Sequence, residues 1–493
     1  MTSLLTLSRA ARLVGVTRGA LQKRIKDGEL ETFEGQITTD ELLRLYPKAH
    51  LEDDALLERL TQLKEGAYAR RLRERILPDA EVLMVRVAEL GRELAASKTE
   101  LAHLRTALSG FEEKLQTISR SAGPEVQSLL AGLYQELHTA TNPAGDTERQ
   151  SLAARDSFLR VLTAQVRVLP GQREFFVEGN DSLLEAALRA GLSLNYGCSN
   201  GNCGLCKARV LSGETKKIRH HDYVLSDSER EANTVLMCSH TAVNDLVIEA
   251  QETGDVREIP LQQIAARVRK TERLTPDLML LHLQTPRTQR LRFLAGQYVT
   301  LQCGDAPPVD YPIASCPCDD RNLQFHIQRM PDNPFADRVF EGLKAGDTVV
   351  VNGPRGEFVL NETSPHDLVF IANGTGFAPI KSLVEHAMAL DVAARISLYW
   401  IAVPEGGHYL ANLCRSWADA LDNFDFVPLD LVVGQAPAPE DFSALLTGIV
   451  RDRPALEDCE IYIAGHPLLA EAAGYFFDKR GLPAPQMHVG YAR

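Results

Sequence analysis

Four cysteines have the spacing of a redox centre. Cys198, Cys203 and Cys206 form C-x4-C-x2-C, and Cys238 lies far enough along the chain for a separate segment to close the site. Four thiolates so placed hold two irons and two sulfides as a [2Fe–2S] cluster, which carries one electron at a time, at roughly −400 mV, and cannot accept a hydride. Several backbone N–H groups must point at sulfur, and Gly197, Gly201 and Gly204 let a short loop wrap that way. Zinc is the alternative occupant, but an x4 gap, an x2 gap and one remote cysteine make a poor zinc-finger spacing. Cys303, Cys316, Cys318, Cys414 and Cys459 do not share the pattern and are expected in cores or loops, without chemistry of their own. No nucleophile–base pair stands out, so hydrolysis has no support. His220 and His221, beside charged residues, are expected on a solvated loop.

A second candidate site is a glycine loop. The strand Leu368-Val369-Phe370-Ile371-Ala372 runs into Asn373-Gly374-Thr375-Gly376-Phe377-Ala378-Pro379, and a helix follows from Ile380. Glycines between a strand and a helix let backbone approach a pyrophosphate at the helix N-terminus, which makes Gly374, Thr375, Gly376, Ala378 and Pro379 candidate nucleotide contacts. Later strands at Leu398–Ala402 and Ile461–Ala464, the second leading into Gly465-His466-Pro467, give the strand, helix, strand alternation of a doubly wound α/β domain. Between the two sites, Ile264 to Leu360 reads as short strands punctuated by Gly and Pro, a small antiparallel barrel. Ahead of the cysteines, strands near Gln165–Val168 and Phe175–Val177 precede an amphipathic helix begun by Asp181 or Ser182.

The elements upstream are helical. Two short periods, Leu7–Val14 and Arg18–Ile25, meet at Gly15-Val16-Thr17, with Thr17 an N-cap for the second. Apolar residues at Leu83, Val87, Leu90, Leu94, Leu101, Leu104, Leu108, Phe111, Leu115 and Ile118 step by four and three, interrupted at Ser97, as in a coiled coil. Such a rod, roughly 50 Å long, buries its seam only against another helix, so a homodimer is expected. An intramolecular hairpin with Leu56–Ile76 is the alternative. Ser121-Ala122-Gly123-Pro124 ends the rod, and Asn142–Asp146 reads as a tether.

Composition bounds the rest. The 493 residues are enough for about three domains. With 53 Lys+Arg against 66 Asp+Glu, net −13, the chain as a whole is not built to coat nucleic acid or an anionic membrane. No run approaches the roughly 18 apolar residues of a membrane span, and Arg9 and Arg12 interrupt the place where a signal peptide needs its apolar core. A soluble, cytoplasmic protein is expected.

On these motifs the segment from Ala164 resembles a plant-type ferredoxin domain. Phe293-Leu294-Ala295-Gly296-Gln297-Tyr298 and the set Gly346, Asp347, Val349, Val350, Gly353, Pro354, Gly356 and Phe358 resemble the flavin-binding barrel of the ferredoxin-NADP reductase superfamily. From about residue 164 to 493 the order resembles reductase components of oxygenases and CDP-6-deoxy-glucoseen reductase. The resemblance implies that NAD(P)H gives a hydride to FAD, which passes single electrons to the cluster and on to a partner oxygenase or deoxygenating enzyme. It also implies FAD contacts at Tyr311, Ile313 and Gly353, and nicotinamide-side contacts at Gly465 and Pro467. The first 48 residues resemble the DNA-binding heads of MerR-like regulators and excisionases, including a hairpin-like Glu31–Thr38. Arg18, Lys23, Arg24 and Lys26, with no acid until Asp27, would supply phosphate contacts. The expected organisation is a helical head (1–48), a helical and coiled-coil segment (51–160), a β-grasp ferredoxin domain (164–253), an antiparallel flavin barrel (259–362) and an α/β nucleotide domain (363–493).

The chain departs from the reductase pattern where phosphate and hydride are handled. The flavin signature Arg-x-Tyr-Ser is Val309-Asp310-Tyr311-Pro312, which removes a cation facing a dianion and a hydroxyl facing the flavin edge. Two glycines and a Ser/Thr are replaced by Asp332-Asn333-Pro334-Phe335-Ala336, the cysteine before Gly-x-Pro is Ala464, and an arginine after the second strand is Val403. Backbone contacts, with Arg329 or Arg338 replacing the cation, would let FAD remain. The alternative is a DNA-binding redox or nucleotide-responsive regulator whose degenerate reductase module is a sensor. A scaffold keeping its cluster for structure alone is the least economical reading. Glu405 would favour NADH by repelling a 2′-phosphate.

Overall fold

The computed structural model describes residues 4–32, 35–46, 78–121, 123, 130, 132, 147–252, 259–286, 289–304, 306–391, 393–402, 407–431, 438–452 and 455–491. The hairpin segment Leu56–Ile76, the tether Asn142–Asp146, Val403, Glu405 and part of the Glu31–Thr38 hairpin lie outside these residues.

Threonines start each helix of the N-terminal head. β1 (Leu4–Thr6) pairs antiparallel with β2 (Gln36–Thr38), enclosing α1 (Leu7–Val14) and α2 (Arg18–Lys26), and α3 (Thr39–Leu45) follows. Thr6, Thr17 and Thr38 accept the N–H of Arg9, Ala20 and Glu41, satisfying one orphan donor of each helix. Leu5, Leu13, Leu21, Ile37 and Leu42 form the core of the head.

The heptad segment is one helix, α4 (Ala80–Ser121), of 42 residues and about 63 Å. Its first turns are anchored: Val82 is buried, and the buried Arg86 donates to Val243 O at 2.7 Å, Val161 O at 2.9 Å and Ala242 O at 3.1 Å. α5 (Thr147–Leu162) packs on these turns, with Arg160 bidentate to Glu93 at 2.6 Å, and inserts Leu152 into the core of the head. Farther along, Leu94, Leu101, Leu104, Phe111 and Ile118 are exposed.

The cysteine module is a five-stranded sheet in the order β4-β3-β9-β5-β7. Its elements are β3 (Thr163–Leu169), β4 (Arg173–Glu178), α6 (Leu183–Arg189), β5 (Lys207–Ser212), β6 (Thr215–Lys217), α7 (Asp227–Glu231), β7 (Thr234–Leu236), β8 (His240–Ala242) and β9 (Leu246–Ala250). Alternation in β3 buries Val166 and Val168 under α6, which Ser182 and Glu185 start with a reciprocal capping box. β3 and β9 run parallel and β5 returns antiparallel to β9.

Next comes a six-stranded antiparallel sheet in the order β13-β12-β15-β10-β11-β14. β10 (Gln262–Thr275), β11 (Leu278–Gln284), β12 (Tyr298–Gln302), β13 (Val309–Pro312), β14 (Asn322–Gln328) and β15 (Thr348–Arg355) curl until the two edges meet, where Ala314 N donates to Gln324 O at 2.8 Å. α8 (Pro334–Glu341) closes one end of this nearly closed barrel with Phe335, Ala336 and Val339.

The C-terminal sheet is wholly parallel, in the order β18-β17-β16-β19-β20. Its strands are β16 (Asp367–Asn373), β17 (Ile396–Ala402), β18 (Phe424–Asp430), β19 (Cys459–Gly465) and β20 (Met487–Tyr491), with α9 (Phe377–Leu390), α10 (Ala411–Ala420), α11 (Pro439–Asp452) and α12 (Pro467–Asp478). Helices on both faces explain why β17 and β19 are buried at every residue. No described helix is long and apolar enough to cross a membrane.

Candidate functional site

The loop after α6 turns its backbone towards sulfur. Asn202 N and Cys203 N donate to Cys198 Sγ at 3.2 and 3.3 Å, and Cys198 N donates to Cys203 Sγ at 3.4 Å. At Gly204 (φ 73°) a Cβ would lie 2.3 Å from the Tyr223 ring, so the turn requires glycine. Cys206 Sγ and Cys238 Sγ are 3.2 Å apart and buried, close enough to serve one iron. Cys206 donates to Cys238, which holds the Cys238 thiol down at about 6 against the opposing effect of burial. Burial pushes the Cys198 thiol up, but hydrogen bonds from Asn200, Cys203 and Asn202 outweigh it and favour thiolate. Among the described residues no three His, Cys, Asp or Glu side chains converge on a single-ion site, and a two-iron cluster served by pairs of thiolates does not require that. The four residues fit a [2Fe–2S] cluster.

The three flavin candidates of the barrel, Tyr311, Ile313 and Gly353, are all buried. Tyr311, opposite Val299, packs its ring against Phe335 at 5.5 Å, and its hydroxyl accepts from Asn333 Nδ2 at 2.7 Å. Burial pushes this phenol up to about 12, so it stays neutral. Ile313 is fully buried, its N–H donating to Gln297 O at 3.0 Å, and Gly353 (φ 157°) packs on Val299. Val309 lies two residues before Tyr311 on the same strand face, where it brings no charge. Asn333 Oδ1 accepts from Ala336 N at 3.0 Å and so caps the α8 N-terminus that would otherwise face phosphate. The expected substitute Arg329 is engaged elsewhere, with Asp337 at 3.4 Å and Glu341 at 2.8 Å. Exposed Arg338 is a cation this end offers a phosphate.

The nucleotide loop sits at the switch point of the parallel sheet, outside the carboxyl ends of β16 and β19. Gly376 packs so tightly on Ala464 that a Cβ would lie 2.3 Å from its carbonyl oxygen. Gly374 O accepts from Trp400 Nε1 at 3.2 Å, and Thr375 Oγ1 reaches Gln328 of the barrel at 3.4 Å. No side chain caps α9; Phe377 N–H donates back to Gly374 O and Thr375 O within the turn, Pro379 has no N–H to give, and Ala378 is buried. Gly465 ends β19 against Asn373, and Pro467 begins α12. The fold therefore brings Gly374, Thr375, Gly376, Ala378, Pro379, Gly465 and Pro467 to one crevice. Tyr311, Ile313 and Gly353 stand on the barrel beside it, joined through Thr375 and Gln328.

Two features of the junction between the cysteine module and the barrel escape the sequence reading. Tyr196, two residues before Cys198, donates to the buried Asp320 at 2.6 Å, and Asp320 pairs with Arg290 at 3.1 Å. Cys316 and Cys318, expected to be inert, form a disulfide; their C-x-C spacing was the available signal.

The DNA reading of the head meets an obstruction. α2 is docked on the nucleotide domain: at its N-terminal turn Thr17 Oγ1 donates to Asp422 at 2.9 Å and Arg18 N to Asp391 at 2.9 Å, and at its last residue Lys26 Nζ donates to Pro365 O at 2.8 Å. At Gly19 a Cβ would lie 2.0 Å from Ala393 O. Arg18 Nε is buried, Arg24 pairs with Glu29 at 2.9 Å, and only Lys23 of the three candidate contacts is exposed. A helix so covered does not present its first turn to a major groove.

Family models match as a 2Fe-2S iron-sulfur cluster binding domain over 166–243, an oxidoreductase FAD-binding domain over 265–360 and an oxidoreductase NAD-binding domain over 370–474. The chain is 27% identical over 322 residues to the CDP-6-deoxy-L-threo-D-glycero-4-hexulose-3-dehydrase reductase of Yersinia pestis, covering 65% of this chain and 96% of that one. It is 27% identical over 325 residues to reductase component 1 of a Comamonas terephthalate 1,2-dioxygenase, covering 66% and 96%. With the reductase component of a Rhodococcus jostii propane 2-monooxygenase the identity is 28% over 328 residues, covering 64% and 88%.

Proposed function

Residues 166–474 belong to the ferredoxin-NADP reductase superfamily, in the form that carries its own [2Fe–2S] domain, and from that premise we propose that the chain delivers electrons to a separate oxygenase or deoxygenating enzyme. It is an NAD(P)H-dependent iron–sulfur flavoprotein reductase. When bound, FAD takes two electrons from the nicotinamide and releases them singly, and the cluster carries one at a time. The crevice between Gly374–Gly376 and Gly465 would hold the nicotinamide nucleotide, with the glycine backbone approaching its pyrophosphate. Tyr311 would lie against the flavin ring, and Arg338 would meet the diphosphate. Cys198, Cys203, Cys206 and Cys238 would hold the cluster. The observation that carries this reading is the Tyr196–Asp320 hydrogen bond, 2.6 Å, which ties the start of the cysteine loop to the barrel.

The regulator alternative finds no support, since the helix that would read DNA is docked at its N-terminal turn. The exposed α4 seam favours a homodimer, and a cytoplasmic location goes with a reductase that meets a separate partner. The deciding experiment is the anaerobic visible spectrum before and after NADH or NADPH, with released flavin quantified in the same sample. Stoichiometric FAD and bleaching of both flavin and cluster bands are expected, and Cys203→Ser should abolish electron delivery to a one-electron acceptor. A cluster without flavin that neither nucleotide bleaches would sink the proposal.

A further inference from the structure

The Cys316–Cys318 disulfide joins residues two apart. Such a link closes almost no chain, so it removes little entropy from the unfolded state and adds little stability. Its surroundings are organised for chemistry instead. Cys316 Sγ is buried and faces His386 Nδ1 at 4.0 Å, and His386 Nε2 meets Glu362 Oε1 at 3.0 Å. Glu362 fixes the ring and its tautomer, leaving Nδ1 directed at sulfur. Cys318 N points at Cys316 Sγ at 3.3 Å, a donor positioned to stabilise a thiolate. Cys318 is only partly buried and lines a cleft shared with Tyr196, Leu192, Arg292 and Phe293. One sulfur is thus held against an acid–base pair while the other opens towards the junction between the cluster module and the barrel.

We propose that Cys316 and Cys318 are a redox-active dithiol/disulfide couple fed by the reductase, with His386 moving the proton at Cys316 and Cys318 facing the exchanging partner. The proposal rests on the reductase reading for its electrons. The balance is NAD(P)H + H⁺ + disulfide → NAD(P)⁺ + two thiols: the S–S bond breaks, two electrons enter, and each sulfur gains a proton, Cys316 by way of His386. The dithiol is reoxidised by exchange with a second disulfide, whose two sulfurs leave as thiols.

The test treats the anaerobic holoprotein with NADH, NADPH, dithiothreitol or nothing, then unfolds it in excess maleimide and maps the tags to Cys316 and Cys318 by peptide mass. No tag at Cys316 or Cys318 is expected as purified under air, and one on each after nicotinamide. Cys318→Ser should leave Cys316 tagged without reductant. His386→Gln should slow opening by dithiothreitol roughly 100-fold and shift its pH profile. The titratable groups packed around Cys316 are His386 at its sulfur, Glu385 accepting its backbone N–H at 3.2 Å, Lys381 paired with Glu385 at 2.7 Å, and Glu362 behind His386, itself paired with Arg173 from β4 at 3.2 Å. Bleaching of the cluster without new tags would overturn the couple and leave the reductase standing. Tags under dithiothreitol alone, with no bleaching by either nucleotide, would overturn both. Tags on both residues in the air-purified protein would show no disulfide and end the proposal.

Discussion

Val309 is the residue at which the cofactor question can be put to a single substitution. It shares a strand face with Tyr311, and the cation expected there is absent. Val309→Arg should restore a charge-assisted contact with the diphosphate, on the order of 1.5–3 kcal/mol, which is about 10- to 150-fold tighter FAD retention. Equilibrium dialysis of FAD against the apoprotein measures it; unchanged affinity would mean that the diphosphate lies elsewhere. The neighbouring Asn333 explains how the site stays folded without the usual residues. Its amide caps α8 and holds Tyr311 at once.

At the scale of elements, α2 and α4 carry opposite expectations. α2 is covered: with Gly19 beneath Ala393, Gly19→Val introduces a clash costing about 1–3 kcal/mol and should release the helix from the nucleotide domain. Hydrogen exchange of the α2 amides should rise tenfold or more, and unchanged protection would refute the docking. α4 is uncovered along Leu94, Leu101, Leu104, Phe111 and Ile118. Placing Leu101 and Leu104 at the two core positions of the heptad puts Glu100 and Arg105 on the flanks, where they pair between chains only in a parallel dimer. Leu101→Lys with Leu104→Lys should therefore halve the mass seen by sedimentation. Glu100→Lys should weaken the dimer on the order of fivefold, from about 0.5 kcal/mol for each of the two symmetric pairs, and adding Arg105→Glu should restore it. An antiparallel rod would show no such rescue.

Across the whole molecule, polar contacts hold the modules together. Arg12 meets Glu178, Arg9 meets Asp156 and Asp245, and Arg173 meets Glu362 at 3.2 Å, so the head and the cysteine module are tied to each other and to the segment before β16. Burial pushes the Glu362 carboxyl up, but the hydrogen bond and charge of His386 and the charge of Arg173 outweigh it, and it titrates below its ordinary 4.5. A depressed carboxylate contributes its stability above the unfolded value and loses it as the pH falls through the folded one. Glu362→Gln should cost on the order of 1–2 kcal/mol in urea denaturation at pH 7. The gap should close as the pH drops below about 4.5, where the wild-type carboxyl takes up its proton. A gap that persists in acid would assign the effect to packing.

The sequence by itself determined whatever depends on local spacing. C-x4-C-x2-C fixes which thiolates can share one loop, Gly374-Thr375-Gly376 between a strand and a helix fixes the nucleotide turn, and steps of four and three fix the long helix. Such signals are legible because the chain connects the residues that must cooperate. Only the tertiary structure decided what depends on residues far apart in sequence. The docking of Gly19 on Ala393, the bond from Tyr196 to Asp320 and the line from Glu362 through His386 to Cys316 join residues between 24 and 374 positions apart. No periodicity records such meetings, because burial and hydrogen bonding select them only when the sheets have packed. That is why Arg18 and Arg24 read as a DNA surface in sequence while the fold turns the start of their helix inward.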